Sequence, residues 1–189
     1  MATATEPRRS ARERLLDAAD ELFYAEGVNV VGIDRIIDKA GVAKASLYNT
    51  YGSKDELVRA YLSRRADGVI TRIRAAADKH RDPKRRVLAV YDAQAEWMAR
   101  PSYNGCAFAG ASAQAGADSV TMLSTREYRD RIREVITELV RETGAARPTE
   151  LGRQLHMLYD GAAQAGRFDG GRSALTAKAA AAALLDAAL

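Results

Sequence analysis

Apolar residues recur at three- and four-residue spacing along most of this chain, and no stretch sustains the two-residue alternation of a strand. Leu15, Leu16, Ala19, Leu22 and Phe23 form the first stripe and predict a helix from about Arg8 to Ala25, stopped by Gly27. Ile33, Ile36, Ile37 and Ala40 predict a short second helix closed by Gly41, since glycine enters the left-handed conformation without steric cost. Val42 supplies an apolar plug in the turn. A third helix, about Lys44 to Thr50, turns Leu47 and Tyr51 inward and leaves Lys44, Ser46, Tyr48 and Asn49 on its other face. Ser53 with Glu56 three residues on has capping-box spacing for a long fourth helix, which Leu57, Tyr61, Leu62, Ile70 and Ile73 carry to about Asp78.

Asp82-Pro83 opens a fifth helix that Pro101 stops, with Val87, Val90, Tyr91, Ala95 and Trp97 along it. A short sixth is expected over Cys106 to Ala115, and a seventh from about Ser119 to Glu142 with Tyr128, Ile132, Val135, Ile136 and Leu139 on one face. The eighth is expected over about Thr149 to Gly166. Gly170-Gly171 separates it from an alanine-rich ninth, Ser173 to Ala188, whose small side chains permit close helix approach. The fold class is therefore all-α with about nine helices, divided into a three-helix unit over residues 1–53 and a larger helical body over 54–189.

The second and third helices have the form of a helix-turn-helix. In that motif the second helix enters the major groove with its N-terminal residues at base edges while the first crosses the backbone, which puts Lys44 and Ser46 where base contacts are made. Residues 32–57 resemble the DNA-binding region of the TetR (tetracycline-repressor) family of bacterial regulators, whose signature runs roughly I-A-x-x-A-G-V-S-x-G-x-L-Y-x-H-F-x-x-K-x-x-L. Here it reads Ile36-Ile37-x-x-Ala40-Gly41-Val42-Ala43-x-Ala45-x-Leu47-Tyr48-x-Thr50-Tyr51-x-x-Lys54-x-x-Leu57, in frame without a gap. Ala43 replaces the serine N-cap, a loss of typically ~1 kcal/mol. Ala45 replaces glycine and brings a methyl toward DNA, Val31 and Gly32 stand where a threonine often opens the second helix, and Thr50-Tyr51 replace His-Phe.

The resemblance implies a DNA-binding transcriptional regulator with double-stranded operator DNA as its partner. Lys44, Ser46 and Asn49 would face bases or adjacent phosphates, with Ala45 beside them. Tyr48 and Lys54 would anchor phosphates and Thr50 would make a weaker backbone contact. It further implies a homodimer on an inverted repeat, since one small reader contacts too few base pairs for genomic specificity. Leu151, Leu155, Leu158, Leu184 and Leu185 are the interface candidates, with intramolecular core as the equal alternative.

Charge adds to this only through placement. The formal net charge is +4, and residues 1–65 hold 11 Lys/Arg against 10 Asp/Glu. Arg8, Arg9, Arg12 and Arg14 nevertheless crowd the N-terminus, and Lys44 and Lys54 flank the third helix, where cations meeting phosphates give salt-sensitive affinity. Met1 to Ser10 lacks the apolar run of a signal peptide and no membrane-length apolar run occurs, so a cytoplasmic protein without a membrane partner is expected. One cysteine, Cys106, forbids an internal disulfide, and His80 and His156 lack ligand spacing, so neither metal nor cofactor is expected.

The resemblance also places a small-molecule effector in the body. Tyr91, Trp97, Met98, Tyr103, Cys106, Phe108, Met122, Tyr128, His156 and Tyr159 are the pocket candidates, with plain core as the alternative. Asn104–Phe108 and Leu158–Ala162 are similar to segments of one branch of the family, which extends the likeness over most of the chain. Two other readings of Cys106 stand beside this one. In the first it is a redox-responsive thiol, which requires a lowered pKa. In the second it is a hydrolase nucleophile paired with His156, for which no recognisable catalytic motif exists, so the chain is expected not to be an enzyme.

Overall fold

The computed structural model describes residues 9–189, and the contribution expected of Arg8 lies outside them. Its elements are α1 (Ala11–Glu26), α2 (Ile33–Ala40), α3 (Lys44–Tyr51), α4 (Lys54–Ala77), α5 (Pro83–Met98), α6 (Ala107–Ser112), α7 (Val120–Glu142), α8 (Pro148–Asp169) and α9 (Gly171–Ala188). All regular structure among the described residues is helical. None of these helices is long and apolar enough to cross a membrane. The chain divides into two compact units, up to Leu62 and from Ser63 to Leu189, so the division falls inside α4 rather than at its start.

In the first unit, α1 begins three residues later than its stripe suggests because Ser10 caps it. Glu13 N–H donates to Ser10 Oγ at 3.2 Å and Ser10 N–H returns to Glu13 Oε2 at 2.8 Å, a full capping box. Leu15, Ala19, Phe23, Val31, Ile36, Leu47, Leu57 and Tyr61 form the core, with the Phe23 and Tyr61 rings 5.5 Å apart. Gly41 takes φ 62°, closing α2 in the left-handed conformation. Arg14 Nη1 donates to the carbonyls of Ala40 (3.1 Å) and Gly41 (3.0 Å), satisfying acceptors that the end of α2 leaves open. Tyr51 donates its hydroxyl to Arg12 O at 2.9 Å, fixing the far end of α3 to α1.

In the second unit, α5 packs on α9, α8 on both α7 and α9, and α6 on α7. Small residues set how closely these helices approach. A Cβ at Gly171 would stand 2.8 Å from Ala95 O of α5, so α9 starts at Gly171 and only Gly170, at φ 58°, makes the turn. Gly166 likewise does not end α8, because its lack of a side chain makes room for Met98 and the Tyr103 hydroxyl. Ala174, Ala177, Ala181 and Leu185 are the buried face of α9, and Lys178 pairs with Asp92 of α5 at 2.6 Å.

Burial corrects the interface candidates. Leu151, Leu155 and Leu185 are enclosed by their own chain, Leu155 and Leu185 at 0% exposure, so they belong to the intramolecular core and cannot reach a second copy. Leu158 and Leu184 are half-buried. The apolar side chains that α8 and α9 expose are instead Met157 (73%), Phe168 (86%) and Leu175 (53%).

Candidate nucleic-acid interface and the helical interior

The recognition helix is held by its apolar side. Leu47 and Tyr51 are buried, while Lys44, Ala45, Tyr48 and Asn49 are exposed and Ser46 and Thr50 half-buried. No side chain caps α3 at Ala43, so the N–H groups of its first turn receive no side-chain acceptor, and Ser46 N–H donates to Ala43 O at 2.9 Å. Lys44 Nζ lies 3.0 Å from Asp34 Oδ1, and that hydrogen bond raises the ammonium's pKa. Both groups are exposed, so solvent screening makes the pair easy to exchange for a phosphate.

Two neighbouring side chains are committed elsewhere. Thr50 Oγ1 donates to Ser46 O at 2.6 Å. A phosphate accepts hydrogen bonds and does not donate them, so in this arrangement the Thr50 hydroxyl proton is turned toward its own helix rather than outward. Arg14, read above as part of the basic field, is spent on capping α2, and Arg9 pairs with Asp17 at 2.7 Å. Lys54, the first residue of α4, is half-buried with its ammonium 5.9 Å from the Phe23 ring centre. The helix start that carries it is capped by Ser53 Oγ, which accepts from Glu56 N–H at 3.2 Å.

The interior of the second unit gathers aromatic and polar groups from α4, α5, α7 and α8. Phe108 and Tyr128 stack at 3.6 Å with an interplanar angle of 1°, and the Tyr91 and Tyr159 rings lie 6.5 Å apart. The Tyr128 and Tyr159 hydroxyls hydrogen-bond, and burial pushes both phenols upward, so both are neutral at physiological pH. Tyr91 donates to Leu155 O at 2.8 Å, and Gln94 Nε2 to Tyr159 O at 2.9 Å. Trp97 lies under two guanidiniums, Arg72 at 4.3 Å and Arg100 at 5.1 Å. Met98 is packed at Gly166 and receives Ser173 Oγ at 3.7 Å, and Met122 is half-buried on α7.

His156 is 4% exposed, with Nε2 3.6 Å from Asp160 Oδ2, and Asp160 is itself held by Arg129 at 2.8 and 2.6 Å. Burial depresses the imidazole pKa, opposed by Asp160 and Asp130 and assisted by Arg129 and Arg133. The unfolded chain therefore binds this proton more tightly, so His156 costs stability progressively as pH falls below its ordinary value of 6.5. Thermal melts from neutral pH to about pH 5 are expected to show a declining midpoint, and a His156→Gln chain a shallower decline. Identical slopes for the two proteins would refute this source.

Three comparisons bear on this arrangement. A solved TetR-family transcriptional regulator from Streptomyces coelicolor superposes with a TM-score of 0.86 at 33% identity, covering 94% of this chain and 89% of that one. The sequence model described as "Bacterial regulatory proteins, tetR family" matches residues 15–61, which hold the helix-turn-helix. This chain belongs to the TetR family. It is a DNA-binding transcriptional regulator. Among curated relatives, the HTH-type transcriptional activator FasR of Mycolicibacterium smegmatis is 39% identical over 87 residues, 46% of this chain and 40% of that protein. The repressor KstR2 of Mycobacterium tuberculosis is 31% identical over 87 residues, 46% of this chain and 44% of that protein. The chain thus spans less than half the length of these curated relatives.

As a TetR-family chain it departs from the motif where the geometry does too. Gly32 and Ala43 give neither short helix a side-chain cap. Cys106 is the N-cap residue of α6, and burial pushes its thiol upward, opposite to the activation that a redox-sensing or nucleophilic cysteine requires. Gln94 and Arg72 also stand among these side chains, beside the pocket candidates. Gln94 was legible, because it continues the buried stripe of Val87, Val90, Tyr91 and Met98 as its polar member. Arg72 carried a fainter signal in Gly68, a mid-helix glycine one turn before it.

Proposed function

We propose that this regulator works as a homodimeric repressor that binds an inverted-repeat operator and is released by a small-molecule effector held in the helical body. The exposed face of α3, with Lys44, Ala45, Tyr48 and Asn49 outward and Leu47 and Tyr51 locked inward, carries the DNA reading. Met157 and Phe168 on α8 and Leu175 on α9 give the dimer an apolar face that the single chain leaves open. A bound effector shifts α4, the helix that begins in the DNA-reading unit and ends in the body. It acts to the extent that it binds the DNA-released arrangement better than the DNA-bound one.

Selection of binding sites from random duplex DNA tests the reading directly. Enrichment of an inverted repeat with half-sites about one helical turn, or a multiple of it, apart is expected. Enrichment of no repeat would count against both the dimer and the operator. Lys54 as a phosphate anchor predicts that Lys54→Ala weakens binding about equally on all operators and lowers the salt slope by about one unit. A changed sequence preference at constant slope would assign Lys54 to base reading instead.

A further inference from the structure

Arg72 occupies an environment unlike that of five other arginines in its unit. Arg74, Arg86, Arg129, Arg131 and Arg133 each pair with a carboxylate, Arg74 with Glu138 and Arg131 with Asp67, for example. Among the described residues Arg72 has no carboxylate partner. Its charged neighbours are cations, Arg100 and Arg65, and the phenols of Tyr159 and Tyr128 beside it are neutral at physiological pH. Burial accordingly pulls its pKa down. Arg72 is half-buried, and a guanidinium partly withdrawn from water without a counter-ion gains from any group that supplies the anion.

Three further features surround it. The guanidinium carbon stands 4.3 Å from the Trp97 ring centre, so the cation is fixed over a flat apolar surface. Gly68, one turn earlier in α4, costs that helix about 1 kcal/mol relative to alanine. A Cβ there would come into ordinary contact with Arg72 Nη1, at 3.5 Å, so the guanidinium lies directly beside this glycine. Gln94, one turn before Trp97 on α5, is 6% exposed, and its Oε1 has no partner although its Nε2 is bound to Tyr159 O. An unsatisfied buried acceptor marks a place where a donor is missing.

We propose that the effector is an organic carboxylate with an apolar body, its carboxylate paired with Arg72 above Trp97 and its apolar part among the aromatic side chains of α5, α7 and α8. A carboxylate matches the planar fork of a guanidinium, and the pair is strengthened by the low-dielectric surroundings. Gln94 Oε1 accepts from any hydroxyl or N–H the ligand carries, selecting among acids of similar size. Because Arg72 is part of α4, such a ligand acts on the helix that the two units share. This identification of ligand class rests on the effector reading above.

Trp97 is the only tryptophan in the chain, which makes its fluorescence a reporter at the site itself. The probes are 1-naphthoate and decanoate, each against its neutral amide, titrated into the full chain with calorimetry and Trp97 emission read in parallel. The acids are expected to bind and change the emission, and the amides to bind at least about tenfold more weakly. Arg72→Gln should reduce acid affinity by about tenfold or more without altering amide affinity, Arg72→Lys should restore part of it, and Arg74→Gln should change nothing. Melting of each variant checks that it is folded, and the lysine variant carries the test if the glutamine variant is not.

Equal affinity for acid and amide, acid affinity unchanged in Arg72→Gln, or no acid binding at millimolar concentration would each overturn the proposal. Release of the selected operator is followed with the same probes. Acids that bind through Arg72 without releasing DNA would leave the anion site standing and remove the effector role. Amides that release DNA would do the reverse.

Discussion

Gly152→Ala is expected to destabilise the protein by about 1–3 kcal/mol, the usual cost of forcing a methyl into a packed contact. The added Cβ would stand 2.3 Å from Thr137 Oγ1, and 3.1 and 3.2 Å from Thr137 Cβ and Cα. Rotating the threonine relieves only the first of these and breaks its hydrogen bond to Arg133 O at 2.7 Å. The other two involve atoms fixed to α7, so α7 and α8 must separate. Urea unfolding should show a lower midpoint with an unchanged slope, and adding Thr137→Ala should recover part of the loss but not all. The same substitution at Gly110 in α6, where a Cβ meets nothing within 4 Å, should be neutral or stabilising by about 0.5–1 kcal/mol. Equal effects at the two glycines would mean that helix propensity, rather than the α7–α8 approach, decides the outcome.

That contrast also marks what could be read from the sequence. Helix existence is legible throughout because it rests on local periodicity; the stripe of α7 is buried along its length, and those of α1, α2 and α5 in most of their members, with Leu16, Leu22, Ile33, Ala95 and Trp97 half-buried. Boundaries were less so where a glycine had two possible roles. Gly41 does end a helix, but Gly166 and Gly171 lie within helices because a neighbouring helix requires the space. Spacing alone cannot distinguish a glycine chosen for its φ from one chosen for its missing Cβ. The start of α1 lies in the Ser10-Ala-Arg-Glu13 pattern, whose capping box outweighs the helix propensity of the arginines before it.

The functional surfaces divide along the same line. The exposed and buried sides of α3 follow from its sequence, since Leu47 and Tyr51 are its two large apolar anchors. What Thr50 and Arg14 do does not follow, because a hydroxyl or guanidinium on a helix is free or engaged according to carbonyls that only the fold brings near. The same holds for the leucines of α8 and α9. Leu155 and Met157 are both apolar and two residues apart, yet one is enclosed and the other is 73% exposed. Arg72 was hidden for a related reason, since its uncompensated charge is a property of what lies across from it on α5, α7 and α8.

Ala45→Glu is the substitution expected to separate DNA binding from folding most completely. Ala45 lies in the first turn of α3, exposed and between exposed Lys44 and half-buried Ser46. A glutamate there costs the folded chain little, because the position is open to water and an acid suits the positive end of a helix. Its thermal midpoint should therefore stay within a few degrees of the parent's. Against DNA the same carboxylate confronts phosphates and base edges, and like-charge juxtaposition at an interface costs several kcal/mol, a loss on the order of a hundredfold or more in operator affinity. The loss should be larger at low salt, where the repulsion is least screened. An Ala45→Gln chain, equal in size and uncharged, should retain much of the affinity. If Gln and Glu weaken binding equally, shape rather than charge governs this position. If neither does, α3 does not present Ala45 to DNA and the reading face must be sought elsewhere on the helix.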